Sequence, residues 1–434
     1  MQQLPYIWMF LLTGLLAWMG FFAGQADFFL LFPAYSAYFV GYIWLSGDNF
    51  ARVPYRLLLF WAIGLRLMLW FAFPGLSDDV FRFIWDGRLL AAGHNPFDAT
   101  PELLMQQPPP GFAPDPALFA ELNSPAYFTV YPPLSQAIFA GAALVFSDQL
   151  YWSAWLMKLP LVAADIGNIF LMRSLLQRLG RPVSLVWWYA LNPLILLEIS
   201  GNLHFEGLML FFFLLGWLAL ISSRPGWAAL ALSLSVGTKL LTLLYVPALL
   251  RRLTARARWW FPVLLTVFIA VLFVPFLNAS FGTNLGQSLD LYFRKFEFNA
   301  SFYYLLRELG FAWSGYNRIA LMGPALSAVF VGLLLIHTFT EKQPRLENWA
   351  TAVLLIHTLY LWSSTTVHPW YLTFVLACVP FTGFRYPVFW SYLIYLSYAT
   401  YMDAPYRENP IALVLEYGSV IPLALYEWRR RMLN

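Results

Sequence analysis

Charge and cysteine are what this sequence lacks. Only 11% of its 434 residues are Asp, Glu, Lys or Arg, against roughly 25% in a soluble domain. With 60% hydrophobic and 19% aromatic residues, this excludes an ordinary water-soluble fold and points to a chain that crosses a membrane many times. The single cysteine, Cys378, lies in an apolar run, which excludes a disulfide framework and a thiolate metal centre. His94, His204, His337, His357 and His368 show no H-E-x-x-H spacing, so a zinc protease is not expected. The first apolar stretch, residues 5–22, has no basic leader and no small-residue cleavage site. It reads as a retained span, not a signal peptide. The net charge of +4 is no sign of nucleic-acid binding, because the basic residues gather at the edges of apolar segments. Neither a short repeat nor a separate soluble domain stands out.

What is present is a long series of apolar segments, each near the length needed to cross a bilayer. They fall at about 5–22, 27–45, 55–73, 131–147, 151–172, 183–200, 204–222, 227–250, 259–277, 318–338, 349–363, 369–384, 386–402 and 410–428. The expectation is an all-α polytopic membrane protein of about 12–14 transmembrane helices, forming one integral-membrane domain over residues 1–434. Basic turns at Arg52/Arg56, Arg173–Arg181, Arg251–Arg258, Lys342/Arg345, Arg385 and Arg429–Arg431 mark one side as cytoplasmic. Loops 74–130, 278–317, 364–369 and 403–409 then lie outside, and the first two are expected to cap a site. The charge count works only if one segment before the turn at Arg173, most simply 131–147 with its Pro132-Pro133 start, is a partial crossing or lies along the interface. It also requires 227–250 to begin and end on the basic side, as a V hinged near Gly237-Thr238-Lys239. The alternative for 227–250 is one ordinary span with Arg224 outside. A broken helix in a membrane is tolerated where it lines a cavity.

The one long polar-punctuated helix pattern is SDDVFRFIWDGRLLAAGHNPF, residues 77–97. Ser77 occupies an N-cap position and Asp78 and Asp79 open the helix, where the macrodipole favours anions. Arg82 is spaced to face Asp78, Asp79 and Asp86. Gly93 and Pro96 end the pattern. For Asp86 and Arg88 a solvated surface is as good a reading as any. Intramembrane charges normally face a bundle interior. For Arg66 and Asp165 a structural pair is preferred, and Lys158 and Glu198 also fall in or near spans. Asn192, Glu198, Asn202, His204 and Glu206 punctuate a hairpin tip, either a polar turn or part of a site. Lys239 at the hinge suits a lipid-linked phosphate. Arg294 and Lys295 are candidates for the same phosphate or for a solvated helix face. His368 stands out among the interfacial aromatic residues of HPWY. Asn278 and Asn299 match short glycosylation sequons and are read as chance matches.

These residues together resemble the GT-C membrane glycosyltransferases. The likeness rests on SDDVFRFIWDGR, AAGHNPF, YPPL at Tyr131, ADIGN, NPLILLEISGNLHFEGLML, GTKLL and HPWY, spread over residues 55 to about 375. It is closest to bacterial proteins of a Bacteroidetes-type subgroup commonly labelled mannosyltransferases. The resemblance implies a GT-C-like bundle with helical extracytoplasmic loops. It implies a catalytic acid in the first outside loop, which maps to Asp78 or Asp79, and a basic residue near the donor phosphate, which maps to Lys239. Arg82, Tyr131, His204, Glu206 and His368 are then substrate-binding candidates. The acids are adjacent here, where some eukaryotic relatives have D-x-D.

The resulting expectation is an inverting hexosyltransferase, of the mannosyltransferase kind, in the cytoplasmic membrane with its site facing outward. Its donor is a polyprenyl-phosphate sugar and its acceptor a lipid, glycan or protein hydroxyl. Membrane lipids are its other partners, and no nucleic acid, cofactor or metal is called for, since basic side chains can neutralise a monophosphate leaving group. A polysaccharide polymerase or ligase, or a lipid-linked sugar flippase, is the alternative. A flippase predicts inverted repeats.

Overall fold

The computed structural model describes residues 3–46, 52–402 and 406–433; of the expected loop 403–409, residues 403–405 lie outside that range. Among the described residues the only regular secondary structure is helical, apart from one isolated bridge between Phe298 and Thr366. Backbone amides and carbonyls in hydrocarbon must be satisfied within the chain, and helices do this segment by segment. Leu4–Phe22, Phe28–Ser46, Leu150–Arg178, Ala255–Phe276, Ile319–Thr340 and Pro410–Arg431 are each long and apolar enough to cross a membrane. Val183–Ala190 and Pro193–Gly201 meet at 56° and, taken together as one bent element, are long and apolar enough for a seventh crossing. The protein is a multi-pass, all-α membrane protein.

The remaining apolar segments are shorter than the sequence predicts. Glu206–Ile221 has 16 residues, Pro225–Thr238 has 14 and Trp349–Ser363 has 15. At 1.5 Å per residue these fall short of a hydrocarbon core of about 30 Å. They are buried within the bundle and end at polar breaks. Pro133–Val145, at 13 residues, is likewise too short for a full crossing, as the charge count requires of this segment.

Two breaks deserve a physical account. At Asn192-Pro193 the Asn192 side chain accepts from the Leu194 amide at 3.0 Å and donates to Ser391 Oγ at 3.0 Å. Pro193 has no amide to continue the preceding helix. Asn192 therefore sits at a 56° bend between two short helices. At Lys239 the backbone is extended (φ −150°, ψ 141°) between Pro225–Thr238 and Leu240–Tyr245. Trp217, near one end of Glu206–Ile221, donates to Leu346 O, and Arg252 donates to Arg345 O. The segment 225–250 thus returns to the side it came from, as the V reading requires, with Lys239 at its turn.

Charges inside the bundle are held by several partners each. Arg66 Nε meets Asp165 Oδ2 at 2.8 Å, and its Nη1 donates to Ala62 O and Ala190 O. Asp165 also accepts from Tyr189 at 2.7 Å and Ser200 at 3.4 Å. Lys158 donates to Leu69 O and Ala72 O, the carbonyls at the end of Tyr55–Trp70, where the dipole favours a cation.

Candidate active site

The helix Asp79–Ala91 follows directly from the break after Tyr55–Trp70. Ser77 Oγ accepts from the Asp79 amide at 3.3 Å, a weak version of the expected cap. The apolar face is fully covered. Phe83 packs on Phe139 with centroids 4.7 Å apart and meets Tyr131 and Phe205 edge-on. Gly87 allows the approach of Pro133–Val145, since a Cβ there would sit 2.4 Å from Phe139 O. Gly93, with φ +86°, ends the helix turn as expected.

The expected fan of three acids around Arg82 does not form. Arg82 Nε pairs with Asp86 at 2.8 Å, and Nη1 donates to Ser124 O and Tyr127 O. Asp86, 1% exposed, also accepts from Gln136 at 3.1 Å. The surface reading of Asp86 is thereby corrected: burial selected the i,i+4 acid, and Arg82 ties the 98–130 loop to the helix. Arg88 reaches Asp115 at 3.0 Å, a second tie to that loop.

Asp78 and Asp79 point into different surroundings. Asp78 Oδ1 accepts from Gln25 Nε2 at 2.9 Å. Burial raises its proton affinity above the ordinary carboxylate value, the Gln25 bond offsets this in part, and the charges of Asp79 and Glu121 add to it. Asp79 accepts from Asn123 Nδ2 and from Tyr131 OH, each at 3.1 Å.

Tyr131 links the acids to the hinge. Lys239 Nζ lies 5.9 Å from the Tyr131 ring centroid and 5.7 Å from that of Tyr371, within cation–π range. The ammonium pairs with Glu206, at the first turn of Glu206–Ile221. Glu206 is 1% exposed, and its Oε2 has no hydrogen-bond partner. His204 Nδ1 faces Glu198 O at 3.0 Å and Glu198 Oε2 at 3.2 Å, while its Nε2 is buried without a partner. The other Glu198 oxygen accepts from Tyr395 and Tyr398, each at 2.9 Å.

His204 stacks on Trp370 at 3.7 Å, and His368 stacks on the same indole at 4.4 Å. His368 Nδ1 is again buried and unpartnered. Burial lowers the proton affinity of its imidazole, keeping it neutral; the charge of Asp79 opposes that effect, and His204 and Lys239 reinforce it.

The structure therefore brings Asp79, Tyr131, Lys239 and Glu206 into one connected group. Asp78 adjoins it, and His204 and His368 flank one indole beside it. It leaves Arg82 behind the helix. Arg294 and Lys295 are exposed, and Arg294 pairs with Asp290 at 2.9 Å. Sequence reasoning missed Gln25, Asn123 and the Tyr395/Tyr398 pair. Nothing in their local sequence marks them, since each reaches the site from a distant segment. Trp370, in the HPWY motif, reads from sequence as an interfacial anchor, and the structure stacks it against His204 and His368 instead. Among the described residues, no group of three or more His, Cys, Asp or Glu side chains gathers as metal ligands would.

A many-helix, all-α chain with apolar helices long enough to cross a membrane defines a class: polytopic integral-membrane proteins. The chain is placed more narrowly by a family model described as alpha-(1->6)-mannopyranosyltransferase, N-terminal domain, which matches residues 3–255. That is more than half of the chain, and the protein belongs to this mannosyltransferase family, as the motif resemblance predicts. No curated protein matches it.

Proposed function

We propose that the protein transfers mannose from a polyprenyl-phosphate donor to an acceptor hydroxyl, with inversion, on the outer face of the cytoplasmic membrane. The observation that carries this reading is the divergence of two adjacent carboxylates beside a hinge lysine. Pairs of acids whose surroundings push their proton affinities apart commonly divide catalytic roles. Asp79, with a donor on each oxygen, orients Tyr131. Asp78, raised by burial and by its neighbour's charge, is the better base.

In this mechanism the acceptor hydroxyl attacks the anomeric carbon as its proton passes to Asp78. The new C–O bond forms while the bond from that carbon to the phosphate oxygen breaks, its electron pair leaving with polyprenyl phosphate. Lys239 meets the charge on the leaving phosphate, exchanging Glu206 for it. The freed Glu206 carboxylate, His204 Nε2 and His368 Nδ1 are placed to bond sugar hydroxyls. The arginine clusters on the opposite side support an outward-facing site.

The two long loops support a cap over it. Asn95 Nδ2 donates to Phe276 O at 3.0 Å, Asn284 Nδ2 to Phe97 O at 2.9 Å, and Asn278 Nδ2 to Asp98 at 2.6 Å.

The test is transfer by purified protein from polyprenyl-monophosphate mannose. Asp78→Ala is expected to lower the rate by roughly 10²–10⁴-fold, the usual worth of a general base, with the protein still folded in detergent. Wild-type rates in both Asp78→Ala and Asp79→Ala would overturn the mechanism. Activity only with diphosphate-linked glycan would favour a polymerase or ligase.

A further inference from the structure

The helix Pro410–Leu433 buries a carboxylate that the mechanism does not use. Glu416 is 0% exposed, and no cation pairs with it among the described residues. Its Oε1 accepts from Trp390 Nε1 at 2.7 Å and from Asn299 Nδ2 at 3.3 Å. A buried acid in a membrane bundle is costly and needs a reason to be there.

Asn299 is held at three further points. Its amide donates to Glu408 at 2.7 Å, its carbonyl accepts from Tyr417 OH at 2.6 Å, and Nδ2 also reaches Val367 O at 3.5 Å. It adopts φ +47°, in the left-handed region that Asn tolerates better than most residues. The residue before it is stitched to the HPWY segment: Phe298 N donates to Thr365 O at 3.0 Å and Val367 N to Phe298 O at 2.8 Å. Ser301 Oγ donates to Trp362 O at 2.9 Å, further along the same strap. The Phe298 ring lies 4.6 Å from the His368 ring, nearly parallel to it. Phe298 and Trp370 thus both stack against the His368 imidazole, and the strap that carries Phe298 is anchored by Asn299 and Glu416.

We infer that Glu416 and Asn299 are positioning residues that hold His368 in place through Phe298. A second outside loop and the last helix are thereby coupled to the site, though neither supplies a group to it. The inference rests on the reading above that His368 bonds the donor sugar. The physical logic is preorganisation: an imidazole whose Nδ1 has no protein partner needs its ring fixed by packing if it is to meet a hydroxyl in one orientation.

The test is a double-mutant cycle read as KM and kcat for mannose transfer from polyprenyl-monophosphate mannose. Glu416→Ala and His368→Ala are each expected to raise KM by roughly tenfold, the scale of one lost hydrogen bond to a charged or buried group. In the Glu416→Ala/His368→Ala protein the two effects do not multiply, because the first acts through the second. Glu416→Gln, which keeps an acceptor for Trp390 and Asn299, restores KM. Should Glu416→Ala fail to fold, Asn299→Gly replaces it, removing the side-chain bond while keeping a residue suited to φ +47°. Multiplying effects, or a loss in Glu416→Ala that tracks reduced folded protein and is absent from Asn299→Gly, would overturn the inference and leave the site reading intact. An unchanged KM in His368→Ala would overturn both.

Discussion

Two buried ion pairs in this protein look alike in sequence and differ in what surrounds them. Arg66–Asp165 lies in the middle of the bundle, where both carboxylate oxygens are engaged and the guanidinium also binds two carbonyls. Only Arg66 Nη2 lacks a partner. Lys239–Glu206 lies at a helix break, where one carboxylate oxygen has no partner, the lysine is 16% exposed, and two tyrosine rings flank it. The first pair is closed by its own partners and serves the fold. The second retains bonding capacity beside an acid pair, which is what a ligand requires. Burial alone does not separate the two pairs; the break in the helix, the partial exposure of the lysine and the flanking tyrosine rings do.

The same charge-removing change in each pair tests that contrast. Arg66→Gln leaves Asp165 uncompensated in hydrocarbon, and breaking such a pair costs about 3–5 kcal/mol. The expected result is loss of folded protein, measured as membrane yield and as a monodisperse peak in detergent. A stable, active Arg66→Gln protein would break the comparison at its first term. Lys239→Gln keeps a donor for Glu206 and stays near water. It is expected to fold, with transfer reduced by roughly 10²–10³-fold, the scale seen when a preorganised electrostatic contact to a developing charge is removed. If Lys239→Gln instead failed to accumulate, Lys239 would belong with Arg66.

Smaller effects sharpen the assignment of the acids. The proposed mechanism requires Asp78 ionised, so activity is expected to fall as pH drops through its raised proton-binding range. The Gln25 hydrogen bond lowers that range and the Glu121 charge raises it. Gln25→Ala should move the acidic limb of the kcat/KM profile to higher pH, and Glu121→Gln should move it to lower pH. Shifts of the opposite sign, or none, would remove Asp78 as the titrating group. Smallest of all, Arg294→Ala and Lys295→Ala should leave transfer within about twofold of wild type, since exposed pairs contribute little. A large loss in either would return them to the donor phosphate.

How far the site could be read in advance depended on the kind of partner each residue takes. The break at Lys239 was legible, because charges at Arg224 and Arg251 leave too few residues between them for two crossings. The acidic helix was legible too, from its cap position, its i,i+4 charges and Gly93. Arg82 shows where local spacing stops being informative. Three acids lay at helical spacing from it, and burial against Gln136 and the 124–127 backbone selected Asp86. Asn192 shows a related limit: a polar residue before proline fits a tight turn or a bend between helices equally well, and only the packed chain gives the 56° angle at that point. Asn299 had read as a chance sequon and proves to be buried at 2% exposure, bonded on all sides.

The sequence by itself determined that this protein is helical and lies in a membrane. Its scarcity of charge and abundance of apolar runs permit no other solvent, and hydrocarbon leaves the backbone few alternatives to a helix. It also determined which side carries the arginines and where the chain must break. The tertiary structure alone decided which polar groups share a site and which are consumed by the fold. Asp78 meets a residue 53 positions away, Asp79 meets residues 44 and 52 positions away, and Lys239 meets one 33 away. Bonds of that range depend on how short helices stop and pack against one another, which no local pattern encodes.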